Sequence, residues 1–237
     1  SLKPDVLILQ ECGDNSGNGT GSGADSTFTL SATLELFIHG GIDPFLGGSV
    51  TAYVQKYAPS FDLPYVFVSA ESDGWNRNCI LSRYPFADLN GDGKSEYSDM
   101  PILLPDKYAT GFDGGLRGFG IAEIDLPDSL YVGDVVVGNS HLKAGSSSSD
   151  HAQRIDAAQN IAYFIDHFYN GAGTGMVDPN NVITDNPPAT NILDADTVVI
   201  AGGDWNEDEG ANGMKGPADW ITMAQIQGGT SDGTDKD

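Results

Sequence analysis

Gly203-Asp204-Trp205-Asn206 follows the apolar run Thr197-Val198-Val199-Ile200-Ala201, which puts a carboxylate and a carboxamide where a buried strand ends. Residues two apart on an extended chain point to the same side, so Asp204 and Asn206 can present oxygen to one point in space. That is the outline of a hard-metal or phosphate site. Alone it is a weak signal, because Gly-Asp-x-Asn also makes ordinary turns in which Asp or Asn bonds its own backbone. Two further strand ends of the same kind strengthen it. After Pro4-Asp5 the chain runs continuously apolar to Leu9, as in a strand buried on both faces, and the run ends in Gln10-Glu11. Val135-Val136-Val137 runs into Asn139-Ser140-His141-Leu142. Glu11 supplies a charged oxygen, and magnesium is held by one or two carboxylates while keeping waters and substrate oxygens.

The elements that must carry these ends follow from periodicity and punctuation. Residues 64 to 70 and 78 to 83 read as strands rich in Val, Ile, Phe and Tyr, joined through Asp73-Gly74 as a hairpin. Residues 117 to 125, 130 to 139 and 196 to 202 read as further strands. Val50, Val54 and Tyr57, with Pro59 as a stop, predict a helix over 44–58. Asp150 with Gln153 predicts a helix start, and Ile155, Ala158, Ala162, Ile165 and Phe168 continue one apolar face. A short helix is expected near 217–226. Residues 12–26, 84–115 and 170–194 read as loops. Strands interleaved with helices predict an α/β fold in which helices cover packed sheets.

The chain carries 34 acidic and 11 basic residues among 237, a net charge of −23. Its general field repels nucleic acid, anionic membranes and phosphate esters alike, so a polyanion has to be held locally. No apolar segment reaches the roughly 20 residues needed to span a bilayer. Cys12 and Cys79 read as two free thiols, although the strand pattern also permits a bridge.

Taken in order, Pro-Asp-Val-Leu-Ile-Leu-Gln-Glu (4 to 11), Ile-Leu-Ser-Arg-Tyr-Pro (80 to 85), Arg117 before the strand to Glu123, Asn-Ser-His-Leu (139 to 142) and Gly-Asp-Trp-Asn (203 to 206) resemble the endonuclease/exonuclease/phosphatase family, the deoxyribonuclease I-like metal-dependent phosphoesterases. The resemblance implies one domain over 1–237 with a four-layer α/β sandwich, two packed and mostly antiparallel sheets flanked by helices. It implies Mg2+ or Mn2+ at Glu11, with Asp204 and Asn206 orienting the nucleophilic water and the phosphoryl oxygens. His141 is implied as the residue that contacts phosphate or assists proton transfer, with Asn139 beside it in the catalytic group. Glu71 resembles the glutamate that supports this histidine, and a solvated surface glutamate is the alternative. Arg117 and Lys143 are implied phosphate contacts, against a structural ion pair and a solvated lysine. The family's first strand and its terminal Ser-Asp-His segment have no counterpart here, so the given polypeptide is expected to hydrolyse poorly.

One more pattern stands outside that set. Asp88, Asn90, Asp92, Glu96 and Asp99, with Gly93 for the turn and the Lys94 carbonyl, follow the spacing of a calcium loop. An acidic Gly-rich turn is the alternative. Together these readings predict a secreted or extracytoplasmic monomer that hydrolyses a phosphodiester, nucleic acid first, without inserting into a membrane. The alternatives are a phosphatase or phospholipid phosphodiesterase, or a calcium-stabilised binding module without catalysis.

Overall fold

The first strand, β1 (Val6–Cys12), divides its side chains between two cores. Leu7, Leu9 and Cys12 pack on one side, and Val6 and Ile8 on the other. The computed structural model describes residues 3–13, 25–69, 72, 76–87, 119–154, 157, 161 and 197–206. Helix α1 (Thr27–His39) follows, then the short pair β2 (Gly41–Ile42) and β3 (Ser49–Val50), and the hairpin β4 (Tyr65–Val68) and β5 (Arg77–Ser82). Strands β6 (Phe119–Ile124) and β7 (Val135–His141) come next, then a helix, α2, over 148–154 with 157 and 161 also helical, and finally β8 (Val198–Asp204).

One sheet has the order β1-β5-β4, antiparallel throughout. The other has the order β6-β7-β8, with β6 antiparallel and β8 parallel to β7. Ile8, Phe67 and Ile80 of the first sheet meet Ala122, Ile124 and Val137 of the second, so the sheets are stacked face to face. On the outer side of the first sheet, Leu30, Leu34 and Ile38 of α1 pack on Leu63, Cys79 and Leu81. Their spacing of four puts them on one helix face, and each fully buried side chain contributes about 1.5–3 kcal/mol. Phe119, Ile121 and Val136 turn to the outer side of the second sheet, and Ala157 and Ile161 of α2 are buried as well. The architecture is the expected α/β sandwich, mostly antiparallel.

The helix expected over 44–58 is not there; the helix lies at Thr27–His39. Ser26 caps it, its hydroxyl accepting from Thr29 N at 3.1 Å. Gly40 ends it at φ +71°, where a Cβ would lie 2.6 Å from Ala52 N. The spacing of Val50 and Val54 is real, but the amides of Tyr53, Val54 and Gln55 donate to Phe37 O and Ile38 O. They satisfy the open carbonyls of the last turn of α1 instead of building a helix of their own. The predicted hairpin is present, in the register Tyr65↔Ser82 to Val68↔Cys79. Strand β7 begins five residues later than expected, since Pro127 O accepts from Leu130 N and Tyr131 N in a turn.

The start of α2 also differs. Ser147 Oγ accepts from Asp150 N at 3.1 Å while Asp150 Oδ2 accepts from Ser147 N at 3.0 Å, so the reciprocal cap is one turn earlier than the Asp150–Gln153 pair. Cys12 and Cys79, both on the α1 side of the first sheet, form no disulfide. Glu71, Arg117, the calcium-loop residues Asp88 to Asp99, and the 217–226 helix lie outside the described residues.

Candidate functional site

Consecutive residues of a strand point to opposite faces, yet Gln10 and Glu11 both reach the second sheet. The reason is a bulge. Pairing steps from Leu9↔Cys79 to Cys12↔Arg77, so Gln10 and Glu11 together stand opposite Asn78. Glu11 takes φ +55°, a left-handed conformation uncommon for a residue with a side chain. The kink returns Cys12 to the α1 side and aims two successive polar side chains into the space between the sheets.

Asn139 ties that bulge down from the opposite sheet. Its Nδ2 donates to Leu9 O and Cys79 O, each at 2.9 Å, and its Oδ1 accepts from Gln10 Nε2 at 2.7 Å. Both amide hydrogens are spent on protein, and the residue is fully buried. Asn139 is therefore placed to hold Gln10 and the β1 backbone beneath the site. A structural cross-tie is the role its geometry serves.

His141 and Asp204 are direct neighbours in the parallel pairing of β7 with β8. His141 Nε2 lies 3.5 Å from Asp204 Oδ2 and 4.0 Å from Glu11 Oε1. The ring is 5 % exposed, while the two carboxylates stand at the rim with about half or more of their side chains open to solvent. Gly203 makes the pairing possible: at φ +139°, a Cβ there would sit 1.9 Å from Ser140 O. Beyond the strand, Asn206 N donates to Asp204 Oδ1 at 2.9 Å, and Asn206 Nδ2 donates to Leu142 O at 2.9 Å. Asn206 sits at φ +51°, so both non-glycine residues with positive φ among the described residues belong to this site. Strain concentrated at functional positions is a recurrent pattern.

Lys143 leaves the cluster. Its ammonium donates to Ala144 O at 2.8 Å and pairs with Asp150 Oδ1 at 3.4 Å. The hydroxyl and backbone amide of Ser147 hold the Asp150 carboxyl below its usual range, and Lys143 adds to this. The sequence reading also overlooked Arg154, which is fully buried on α2 and donates from one terminal nitrogen to Lys143 O at 2.8 Å and Gly145 O at 2.9 Å. It fixes the backbone that leaves His141. Its only sequence signal is a cation where a helix face turns apolar.

Among the described residues, no group of three or more His, Cys, Asp or Glu side chains is arranged to hold a metal by itself. A cation here would rest on the carboxylates of Glu11 and Asp204 and on water, the hard-oxygen set that magnesium takes. One further feature fits that set: the buried carboxamide of Asn78, opposite the Glu11 bulge, has no hydrogen-bond partner at either end among the described residues. A buried polar group in that state calls for water or an ion.

No protein-family profile matches the chain, and no curated protein matches it. Solved structures do. Beta toxin 275-280 from Staphylococcus aureus is similar over 72% of this chain and 53% of its own, at 16% identity and a TM-score of 0.40. A beta hairpin deletion mutant of the same toxin is similar over 72% and 54%, at 17% identity and a TM-score of 0.41. The endonuclease/exonuclease/phosphatase from Beutenbergia cavernae is similar over 69% and 35%, at 22% identity and a TM-score of 0.38. The chain thus spans about half the length of the toxin structures and about a third of the other.

Proposed function

We propose that this chain is a divalent-metal-dependent phosphoesterase that hydrolyses phosphodiester bonds, with nucleic acid as the first substrate class. The observation that carries the reading is the meeting of Glu11, His141 and Asp204 from three strands of two sheets around one ring nitrogen. Glu11 and Asp204 would hold Mg2+ or Mn2+, which when bound polarises a phosphoryl group and offsets charge gathering on its oxygens. Asp204 is fixed by its bond from Asn206 N and orients the attacking water. The Asn206 carboxamide, held against Leu142 O, meets the same water or a phosphoryl oxygen. The water oxygen forms the new bond to phosphorus as the ester bond opposite it breaks, the proton it sheds passing to solvent, from which His141 recovers the one it gives up. His141, nearly enclosed and facing two carboxylates, is placed to contact the phosphoryl group or to pass a proton to the departing oxygen.

By resemblance, Arg117 and Glu71 join the same reading, as phosphate clamp and as support for His141. A phosphate contact by Lys143 requires exchanging its pairing with Asp150. The acidic composition and the 88–99 spacing support a secreted, calcium-stabilised monomer. The described helices include none long and apolar enough to cross a membrane.

The test has two parts. Mn2+ should bind wild type and not Glu11→Ala, followed by electron paramagnetic resonance of free Mn2+. Hydrolysis should then be screened on DNA, RNA, sphingomyelin and phosphomonoesters, with His141→Ala reducing the turnover found by about 100-fold or more. Cleavage confined to sphingomyelin or to monoesters selects the alternative substrate classes. Equal Mn2+ affinity in wild type and Glu11→Ala overturns the metal reading, and calcium-dependent stability without turnover of any substrate favours the binding-module alternative.

A further inference from the structure

Strand β5 alternates between the two cores. Cys79 and Leu81 face α1, and Ile80 faces the second sheet. Asn78 shares the face of Ile80, at the end of the strand where the site lies, and is wholly buried. Its backbone carbonyl is engaged, Asn78 O accepting from Ser69 N at 3.0 Å. The side chain is not engaged. Neither Oδ1 nor Nδ2 has a hydrogen-bond partner among the described residues, while the neighbouring inter-sheet amide, Asn139, has both amide protons bound. The bulge register sets Asn78 directly across from Gln10 and Glu11. A buried amide left without partners costs about 1–3 kcal/mol per group, and the sheet interior around Ile8 and Ile80 would accept an apolar residue at this position.

We propose that Asn78 is a positioning residue for the hydration shell of the cation held at Glu11. The inference rests on the metal reading of the site and goes beyond it by assigning a residue outside the strand-end motifs. Water is the partner that the chemistry selects. A carboxamide presents a donor and an acceptor together, and a carboxylate, which only accepts, would use just the donor half. Magnesium keeps several of its waters, which can both donate and accept. Substrate phosphate is excluded by place, since it approaches from the rim where Glu11 and Asp204 are exposed, whereas Asn78 is enclosed between the sheets. Asn78 would thus act through water on the face of the ion turned to the core. Groups one shell away from a metal commonly change its affinity 10- to 100-fold.

The test uses Asn78→Leu, of similar shape and without polar atoms, with Mn2+ as the probe. A buried amide without partners gives a plain signature when replaced by an apolar isostere: the melting temperature stays the same or rises. If Asn78 serves the cation, the same variant weakens Mn2+ binding by about tenfold or more, measured by titration calorimetry well below the melting temperature. Unchanged Mn2+ affinity in folded Asn78→Leu overturns the inference. Should leucine fail to fit, Asn78→Ser and Asn78→Ala form a second pair differing by one hydroxyl. Serine should bind Mn2+ several-fold more tightly than alanine, and equal affinities overturn the inference. Glu11→Ala separates the two claims. Wild-type binding that Glu11→Ala abolishes and Asn78→Leu leaves intact sinks this inference alone, whereas wild type that binds no Mn2+ sinks the metal reading with it.

Discussion

At the residue scale, the site depends on an atom that is missing. Gly203 lets β8 approach β7 so closely that a methyl group would fall 1.9 Å from Ser140 O, in a backbone conformation of φ +139°. Neither neighbour can move cheaply, because both are held in the parallel ladder. Gly203→Ala should therefore separate the strands at the point where His141 faces Asp204. The backbone strain alone costs roughly 1–3 kcal/mol, so the urea midpoint should fall and Mn2+ binding should weaken together. A variant with native midpoint and native binding would show that the approach of β8 does not set the site. The other special residues follow the same logic of committed neighbours. Asn139 spends its amide on Gln10, Leu9 and Cys79, and Arg154 spends a terminal nitrogen on the two carbonyls after His141. Neither role is visible from residue type. A buried asparagine that ties two sheets and an asparagine that touches substrate look the same in a sequence.

At the element scale, α1 ends in a charge clip that titrates. His39 Nδ1 lies 2.9 Å from Glu35 Oε2, and Nε2 lies 2.6 Å from Asp62 Oδ1. Partial burial works to lower the imidazole value, but the bonds and charges of Asp62 and then Glu35 outweigh it, leaving it raised above 6.5. A raised folded value means stability that is fully present below about pH 6.5 and lost as pH rises through the folded value. His39→Gln should thus be less stable than wild type at pH 6, by under about 1 kcal/mol for so exposed a group, and the difference should vanish by pH 9. A difference that stays constant with pH would show that the ring acts by packing alone. The elements that were legible in the sequence are those whose signal is local and repeated: the Val- and Ile-rich strands, the β4–β5 hairpin, and the polar residues that end β1, β7 and β8. What was not legible depends on partners distant in sequence. The apolar spacing at Val50 and Val54 implied a helix, but these residues lie where backbone amides close the end of α1. The bulge that aims Gln10 and Glu11 the same way exists only against β5. The Asp150–Gln153 pair pointed to the start of α2, but the reciprocal partner of Asp150 is Ser147, three residues before it rather than after.

At the scale of the whole molecule, the layers bring one end of each sheet together, and the net charge of −23 surrounds that end with a repelling field. Basic nucleases gain from low salt because counterion release drives polyanion binding. Here the sign is reversed. At low ionic strength the field reaches about 30 Å and opposes an approaching DNA strand, and near 0.15 M it is screened within about 8 Å. If nucleic acid is the substrate, its kcat/KM at a fixed saturating Mg2+ concentration should rise between about 0.01 and 0.15 M monovalent salt, through a falling KM with kcat nearly unchanged. A small phosphodiester of one or two charges meets far less of that field and should show little change over the same range. Initial rates on a duplex and on such a small diester, measured side by side, check this. A duplex rate that falls steadily with salt would mean that a local basic surface outweighs the acidic whole. That result would move the search for substrate contacts to the segment around Arg117.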